Sequence, residues 1–161
     1  MIQRIQSVFL FLVVVLVVLA IVQPMYYFTV NVNFPEGQTA TSSIGLTQQV
    51  AASDGTTEIV HDNYKIMALS LIGIIALITI FMFKKRDLQM RLLRINIIAT
   101  LLFAVGMAYF IYNFTNSLDI NEMTYSPTGI LVIVGILVLN ILAYGFIKKD
   151  DNLVKSADRF R

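Results

Sequence analysis

The stretch IMALSLIGIIALITIFMF, residues 66–83, followed at once by Lys84-Lys85-Arg86, decides the fold class. Its eighteen residues include no Asp, Glu, Lys, Arg or His. As a helix at ~1.5 Å per residue it is roughly 27 Å long, close to the ~30 Å hydrocarbon core of a bilayer. Three further runs follow the same pattern: Val8–Val22, Ile95–Ile111 and Gly129–Ile147. The first is preceded by Arg4 and ended by Gln23-Pro24, and the third starts beside Arg94, whose long side chain can snorkel to the interface. The predicted spans cover residues 6–23, 66–83, 93–112 and 128–147, with an outer loop over 24–65 and a tail over 148–161. All of residues 1–161 then form a single integral membrane domain. The expected fold is an all-α antiparallel four-transmembrane-helix bundle with a small β-rich extracytoplasmic loop between helices 1 and 2.

Charge sets the direction of the spans. Of the twelve Lys and Arg residues, every one except Lys65 lies before the first run, between the second and third, or after the fourth. Lys65 sits at the edge of the second run. The first loop carries Glu36, Asp54, Glu58 and Asp62, and the third carries Asp119 and Glu122 without a basic residue. Cytoplasmic flanks retain positive charge, so both termini are predicted to be cytoplasmic. Arg4, the first apolar run and Ala20 also resemble a cleavable signal peptide. Val18-Leu19-Ala20 is a poor small-x-small cleavage site, so the run is read as a retained span.

Composition agrees with a membrane class. The chain is 57% hydrophobic and 14% charged, with a mean hydropathy of +0.76, where soluble domains carry about 25% charged residues. A net charge of +2 is no signal for nucleic acid. The basic residues sit at span ends, where anionic lipid attracts them. Cysteine is absent, which excludes disulfides, thiolate metal sites and the Cys-pair chemistry of four-span thiol oxidoreductases.

The first loop is too long for a plain connector. Phe28, Val30, Val32 and Phe34 alternate with Thr29, Asn31 and Asn33, the pattern of a strand with one buried face. Pro35-Glu36-Gly37 is turn chemistry, and Ile44–Ala52 reads as a second short strand or a turn of helix. Asp54-Gly55 is a hairpin signal, followed by a strand over Thr56–His61. A sheet of two or three strands is expected, packed on the third loop or the interface, because an isolated hairpin is marginal in water. Tyr26, Tyr27, Tyr64, Tyr109, Tyr112 and Tyr125 lie near the predicted outer boundary and read as an aromatic belt.

Chemistry-bearing residues are few. His61, the single histidine, lies near Asp54, Glu58 and Asp62. That spacing matches no zinc motif, so no metal site is expected and His61 reads as an exposed loop residue. No catalytic or cofactor-binding residue is assigned. Inside the spans the polar residues are Ser70, Thr79, Asn96, Thr100 and Asn140. The two asparagines suit hydrogen bonds between helices, which average about 0.6 kcal/mol in membranes. Ala104, Gly106 and Ala108 in the third span, Gly73 and Ala76 in the second, and Gly135 in the fourth suggest close helix contacts. The tail spaces Leu153, Val154, Ala157 and Phe160 at helical intervals among charges and reads as an amphipathic helix continuing the fourth span. It suits a membrane surface, the underside of the bundle or a partner protein.

Met1-Ile2-Gln3-Arg4-Ile5-Gln6 before the first span, and the tail from Ile147-Lys148-Lys149-Asp150 through Leu153-Val154-Lys155-Ser156-Ala157-Asp158-Arg159-Phe160-Arg161, resemble an uncharacterised family of small four-span membrane proteins from Bacteroidota. The resemblance runs the whole length of the chain. It implies a bacterial inner-membrane location and brings no activity, cofactor or catalytic residue. The functional expectation is a non-enzymatic scaffold, assembly or accessory subunit of a larger membrane complex. Its contacts would be the bilayer and a protein partner, the latter through the periplasmic loop and the basic tail, with no nucleic acid. The alternative is a small transporter or channel for a neutral or lipidic solute, lined by Asn96, Thr100 and Asn140. A membrane-embedded enzyme ranks third.

Overall fold

The computed structural model describes residues 3–23, 25–33, 39–53, 56–83, 85–116 and 122–158, and within the strands it describes few side chains. Four helices are joined by a sheet: α1 (Gln3–Val22), β1 (Tyr26–Asn33), β2 (Thr39–Gly45), β3 (Gln48–Ser53), β4 (Thr56–His61), α2 (Asn63–Phe81), α3 (Arg86–Asn116), β5 (Glu122–Tyr125) and α4 (Thr128–Asp158). Each helix packs against its neighbours in sequence, and α4 closes the ring against α1.

Apolar runs become helices because lipid cannot hydrogen-bond a free backbone, and a helix satisfies its own. Stretches of α2, α3 and α4 (Asn63–Phe81, Arg86–Asn113 and Thr128–Val154) are long and apolar enough to cross a membrane, and α1 contributes the shorter apolar stretch Gln6–Val22. The outward faces are apolar as well: Phe11, Met67, Leu102, Val105 and Leu131 are all at least 60% exposed. A soluble bundle would place charge on that face, and helices apolar all round belong in lipid. This is a multi-pass membrane protein, mostly helical.

The cap exceeds the two or three strands expected. It is a five-stranded sheet in the order β4-β3-β2-β1-β5, with every adjacent pair antiparallel. Four strands come from the first loop. The fifth comes from the third loop, which pairs Phe28 with Tyr125 and Asn31 with Glu122. Ile44–Ala52 is not one element: it divides between β2 and β3 at Leu46-Thr47. Ser53 faces Thr56 across the predicted hairpin, while Asp54-Gly55 themselves, like Phe34 to Gln38, lie outside the described residues. The side chains of Phe28, Val30 and Val32 are also outside them, so the predicted buried face of β1 has no structural counterpart to compare.

Two apolar clusters fill the ring. The one nearer the sheet gathers Val13, Val17, Leu69, Ile72, Met107 and Ile136 with Ile44 and Leu46 from the cap. The other, toward the Lys/Arg-rich end, gathers Leu10, Leu93, Ala143 and Ile147. Phe9 and Phe146 stack beside it with ring centroids 5.4 Å apart. Between α1 and α2 the helices touch closely: a Cβ on Gly73 would lie 3.0 Å from Val17 Cγ1. Gly73→Leu is therefore expected to lower stability by about 1–3 kcal/mol through overpacking, read by thermal unfolding in detergent. Gly106 behaves differently, since a Cβ there meets nothing within 4 Å. Gly106→Ala should leave the melting temperature unchanged.

Candidate functional site

The sheet is joined to the bundle by its own turn. Gly45, the last residue of β2, and Leu46 and Thr47, which connect it to β3, are buried at the top of the helices. Leu46 N–H donates to Met25 O at 2.8 Å, and Thr47 Oγ1 reaches Ala20 O at 3.5 Å. Asp62 N–H donates to Thr47 O at 2.9 Å. Asp62 is the residue before α2, and its carbonyl accepts from Lys65 and Ile66 N–H, starting the helix. Its carboxylate forms no side-chain cap. Instead it takes Lys65 Nζ at 2.5 Å and both contacts of Gln49 Nε2, at 3.3 and 3.2 Å.

Lys65 is only 1% exposed. The sequence places it at the edge of an apolar run; the structure places it in the first turn of α2, which starts at Asn63, three residues before the predicted start of the span at Ile66. One residue set apart by the charge pattern thus turns out to be a buried cation within the helical bundle. Its ammonium has three donors. Asp62 takes one, and Gly45 O lies at 3.5 Å. The ring face of Phe110 lies 4.2 Å away, within cation–π range. A buried charge needs a partner of opposite sign with further hydrogen bonds to offset desolvation. Asp62 and Gln49 supply both, and the helix N-terminus adds a favourable field for the carboxylate.

Below Lys65 runs a lateral groove of about 410 Å³ between α2 and α3. Lys65 and Tyr64 mark its polar end; Ala68, Leu71, Ala99, Gly106 and Phe110 are among its apolar lining residues. A second groove, about 220 Å³, separates α3 from α4 and is lined by Ala104, Ala108 and Val134 among others. The small residues of α3 were expected to bring helices together. Gly106 and Ala108 are exposed instead, and they open grooves on either side of α3. Gly73, by contrast, is the close contact that small-residue spacing suggests, and a Cβ on Gly135 would lie 3.4 Å from Leu16 Cδ1.

Asn96 and Asn140 meet across α3 and α4, with Asn96 Nδ2 donating to Asn140 Oδ1 at 3.2 Å. Thr100 Oγ1 donates back to Asn96 O within its own helix. All three are buried, and none lines either groove. They form a polar layer between the two apolar clusters. Asn96 Oδ1 and Asn140 Nδ2 keep no partner in this arrangement, so the pair is worth little as glue. Asn96→Leu with Asn140→Leu is expected to change stability by less than about 1 kcal/mol, checked by thermal unfolding against each single variant.

At the opposite end Arg86 pairs with Asp150 at 3.3 Å, tying the start of α3 to α4. Gln89 Nε2 donates to Thr79 O at 3.2 Å. Among the described residues no group of three His, Asp or Glu is placed to hold a metal ion. The side chains of His61 and Glu58, and Asp54 altogether, lie outside the described residues. Tyr64, Tyr109 and Tyr112 are exposed on α2 and α3 near the sheet. In the tail α4 continues unbroken to Asp158, with Leu153 and Val154 exposed, while the side chains of Ala157 and Phe160 lie outside the described residues.

This whole arrangement, from the first helix to the tail, falls within one family match. Residues 2–160 match the model described as Domain of unknown function (DUF4293). The chain belongs to the DUF4293 family. No curated protein matches it. The match covers cap and helices together, so in this DUF4293 chain the sheet belongs to the same unit as the bundle. What sequence reasoning missed in it is the Lys65 site. The available signal was Asp62-x-x-Lys65 at the start of a span, two opposite charges one helical turn apart.

Proposed function

We propose that this DUF4293 protein is a four-span inner-membrane protein of a Bacteroidota bacterium, with both termini cytoplasmic, that works by contact as an accessory or assembly subunit of a membrane complex. The five-stranded cap carries the reading. Two separate loops converge to build it, and its turn is buried in the bundle, which is more structure than connecting four helices requires. A sheet ends in open edges, here β4 and β5, and an open edge is a surface for strand addition. The Lys/Arg distribution supports the orientation, and the helical tail of α4 offers a second contact on the other face.

Crosslinking in intact membranes, followed by mild detergent purification, should recover one reproducible protein partner. Crosslinks should map to β4, β5 or the tail beyond Lys148. Recovery of only monomer or homo-oligomer across several detergents would overturn the accessory role. Reporter fusions after residues 38, 118 and 161 test the orientation, with the first two expected outside and the last inside.

The alternative of an aqueous path along Asn96, Thr100 and Asn140 gains no support from the geometry, because the two amides are bonded to each other between packed helices. A cysteine placed at Asn140 is expected to resist polar thiol reagents in membranes.

A further inference from the structure

We propose that the groove between α2 and α3 is a binding site for one acyl chain of a membrane lipid, whose carboxyl or ester oxygen accepts a hydrogen bond from Lys65 Nζ. Four observations converge on this chemistry. The cavity, at about 410 Å³, lies in the ~300–1,000 Å³ range of small-molecule sites. Its polar character is confined to one end, where Lys65 and Tyr64 sit, and helix carbons line the rest. An amphiphile matches that division; a sugar, a nucleotide or an ion does not.

Length gives the second argument. The lining extends from Tyr64 to Ile72 on α2 and from Ala99 to Phe110 on α3. At ~1.5 Å per residue these stretches rise roughly 12 and 16 Å. Half of a ~30 Å hydrocarbon core is about 15 Å. The groove thus has the depth of one leaflet, with its polar end at the sheet side.

Access is the third. Leu71, Leu102 and Gly106 are exposed on the outer surface of the bundle, so the groove opens sideways, where lipid tails are. Gly106 leaves open space that any larger residue would fill.

Charge decides the headgroup. Lys65 is already neutralised by Asp62 at 2.5 Å. The site therefore presents a hydrogen-bond donor without a net positive charge. The ammonium lies 4.2 Å from the ring centroid of Phe110, a groove residue, which puts it at the polar end of the groove. An acyl oxygen suits this better than a multiply charged phosphate, which would meet the Asp62 carboxylate as well. A free fatty acid and the acyl ester of a phospholipid share that oxygen. The inference is independent of what the cap contacts.

The test is photolabelling of the full-length protein in lipid nanodiscs with two probes, a fatty acid and a phosphatidylcholine, each carrying a diazirine on its acyl chain. Labelling is expected to saturate, to be competed by the unlabelled probe, and to map to peptides spanning 68–72 and 99–110. Whichever probe saturates identifies the source. Gly106→Phe, which fills open space, should abolish saturable labelling without lowering the melting temperature. The double variant Asp62→Leu with Lys65→Met removes the donor without stranding a charge, and it should weaken labelling about tenfold, the loss of one hydrogen bond to a charged group. Labelling spread evenly over the outer helix faces, or unaffected by Gly106→Phe, would mean ordinary surrounding lipid and would overturn the proposal. Labelling that saturates equally in the double variant would keep the groove but remove Lys65 from it.

Discussion

Lys65→Met alone is expected to destabilise the protein by about 3–5 kcal/mol, the usual cost of removing one partner from a buried ion pair. The substitution keeps the volume of the side chain and most of its apolar contacts. What changes is Asp62, whose carboxylate is then left nearly solvent-free with Gln49 as its described partner. Asp62 also starts α2 and bonds the cap through Thr47 O, so its distress reaches both parts of the molecule. The companion result separates charge from packing. Asp62→Leu with Lys65→Met removes both desolvation penalties and should recover most of the loss. Recovery stops short of complete because Gln49 loses its acceptor, and adding Gln49→Met should close the remaining gap. Thermal unfolding of the three variants in one detergent measures all of this. A Lys65→Met protein as stable as the native one would show that the pair is not buried in solution.

The long helices were legible because their signal is local. An uninterrupted apolar run of about 20 residues has few structural outcomes: Gly129–Ile147 falls within α4, and the run from Ile66 forms most of α2, which ends at Phe81, two residues before the predicted Phe83. The bond between Asn96 and Asn140 was legible for a similar reason, since a buried amide has few acceptable partners. Lys65 was not. Position 65 lies at the end of a run, and whether it faces lipid, water or the bundle depends on the phase of α2. That phase is set by the buried Gly45-Leu46-Thr47 turn, twenty residues earlier, and by Phe110 on another helix. β5 was hidden too, because Glu122–Tyr125 is only four residues long and gains strand character from pairing with β1. Small residues misled in one direction. Spacing reports that backbones can approach, and Gly73 does have a close neighbour, but at Gly106 the same residue type borders an open groove.

Leu46→Ala should be the most informative substitution in the cap, with an expected loss of about 2–5 kcal/mol. Leu46 is fully buried, although it sits in a two-residue connection between strands, where a polar side chain and solvent are the norm. It belongs to the same apolar cluster as Val17, Leu69 and Met107, so it joins the sheet to three helices by side-chain packing. Truncation leaves a cavity at that junction, with Thr47 and Asp62 as the neighbouring polar ties. The predicted consequence is uneven. Amide exchange should accelerate across β2, β3 and β4 well before it does in α3 or α4. Leu153→Ala, at an exposed position of the same residue type in α4, should do neither. Uniform acceleration throughout the molecule would make cap and bundle one cooperative unit. Acceleration confined to the cap would make the sheet a separable module, anchored chiefly by the packing of Leu46 and free to reposition on a partner while the helices stay packed.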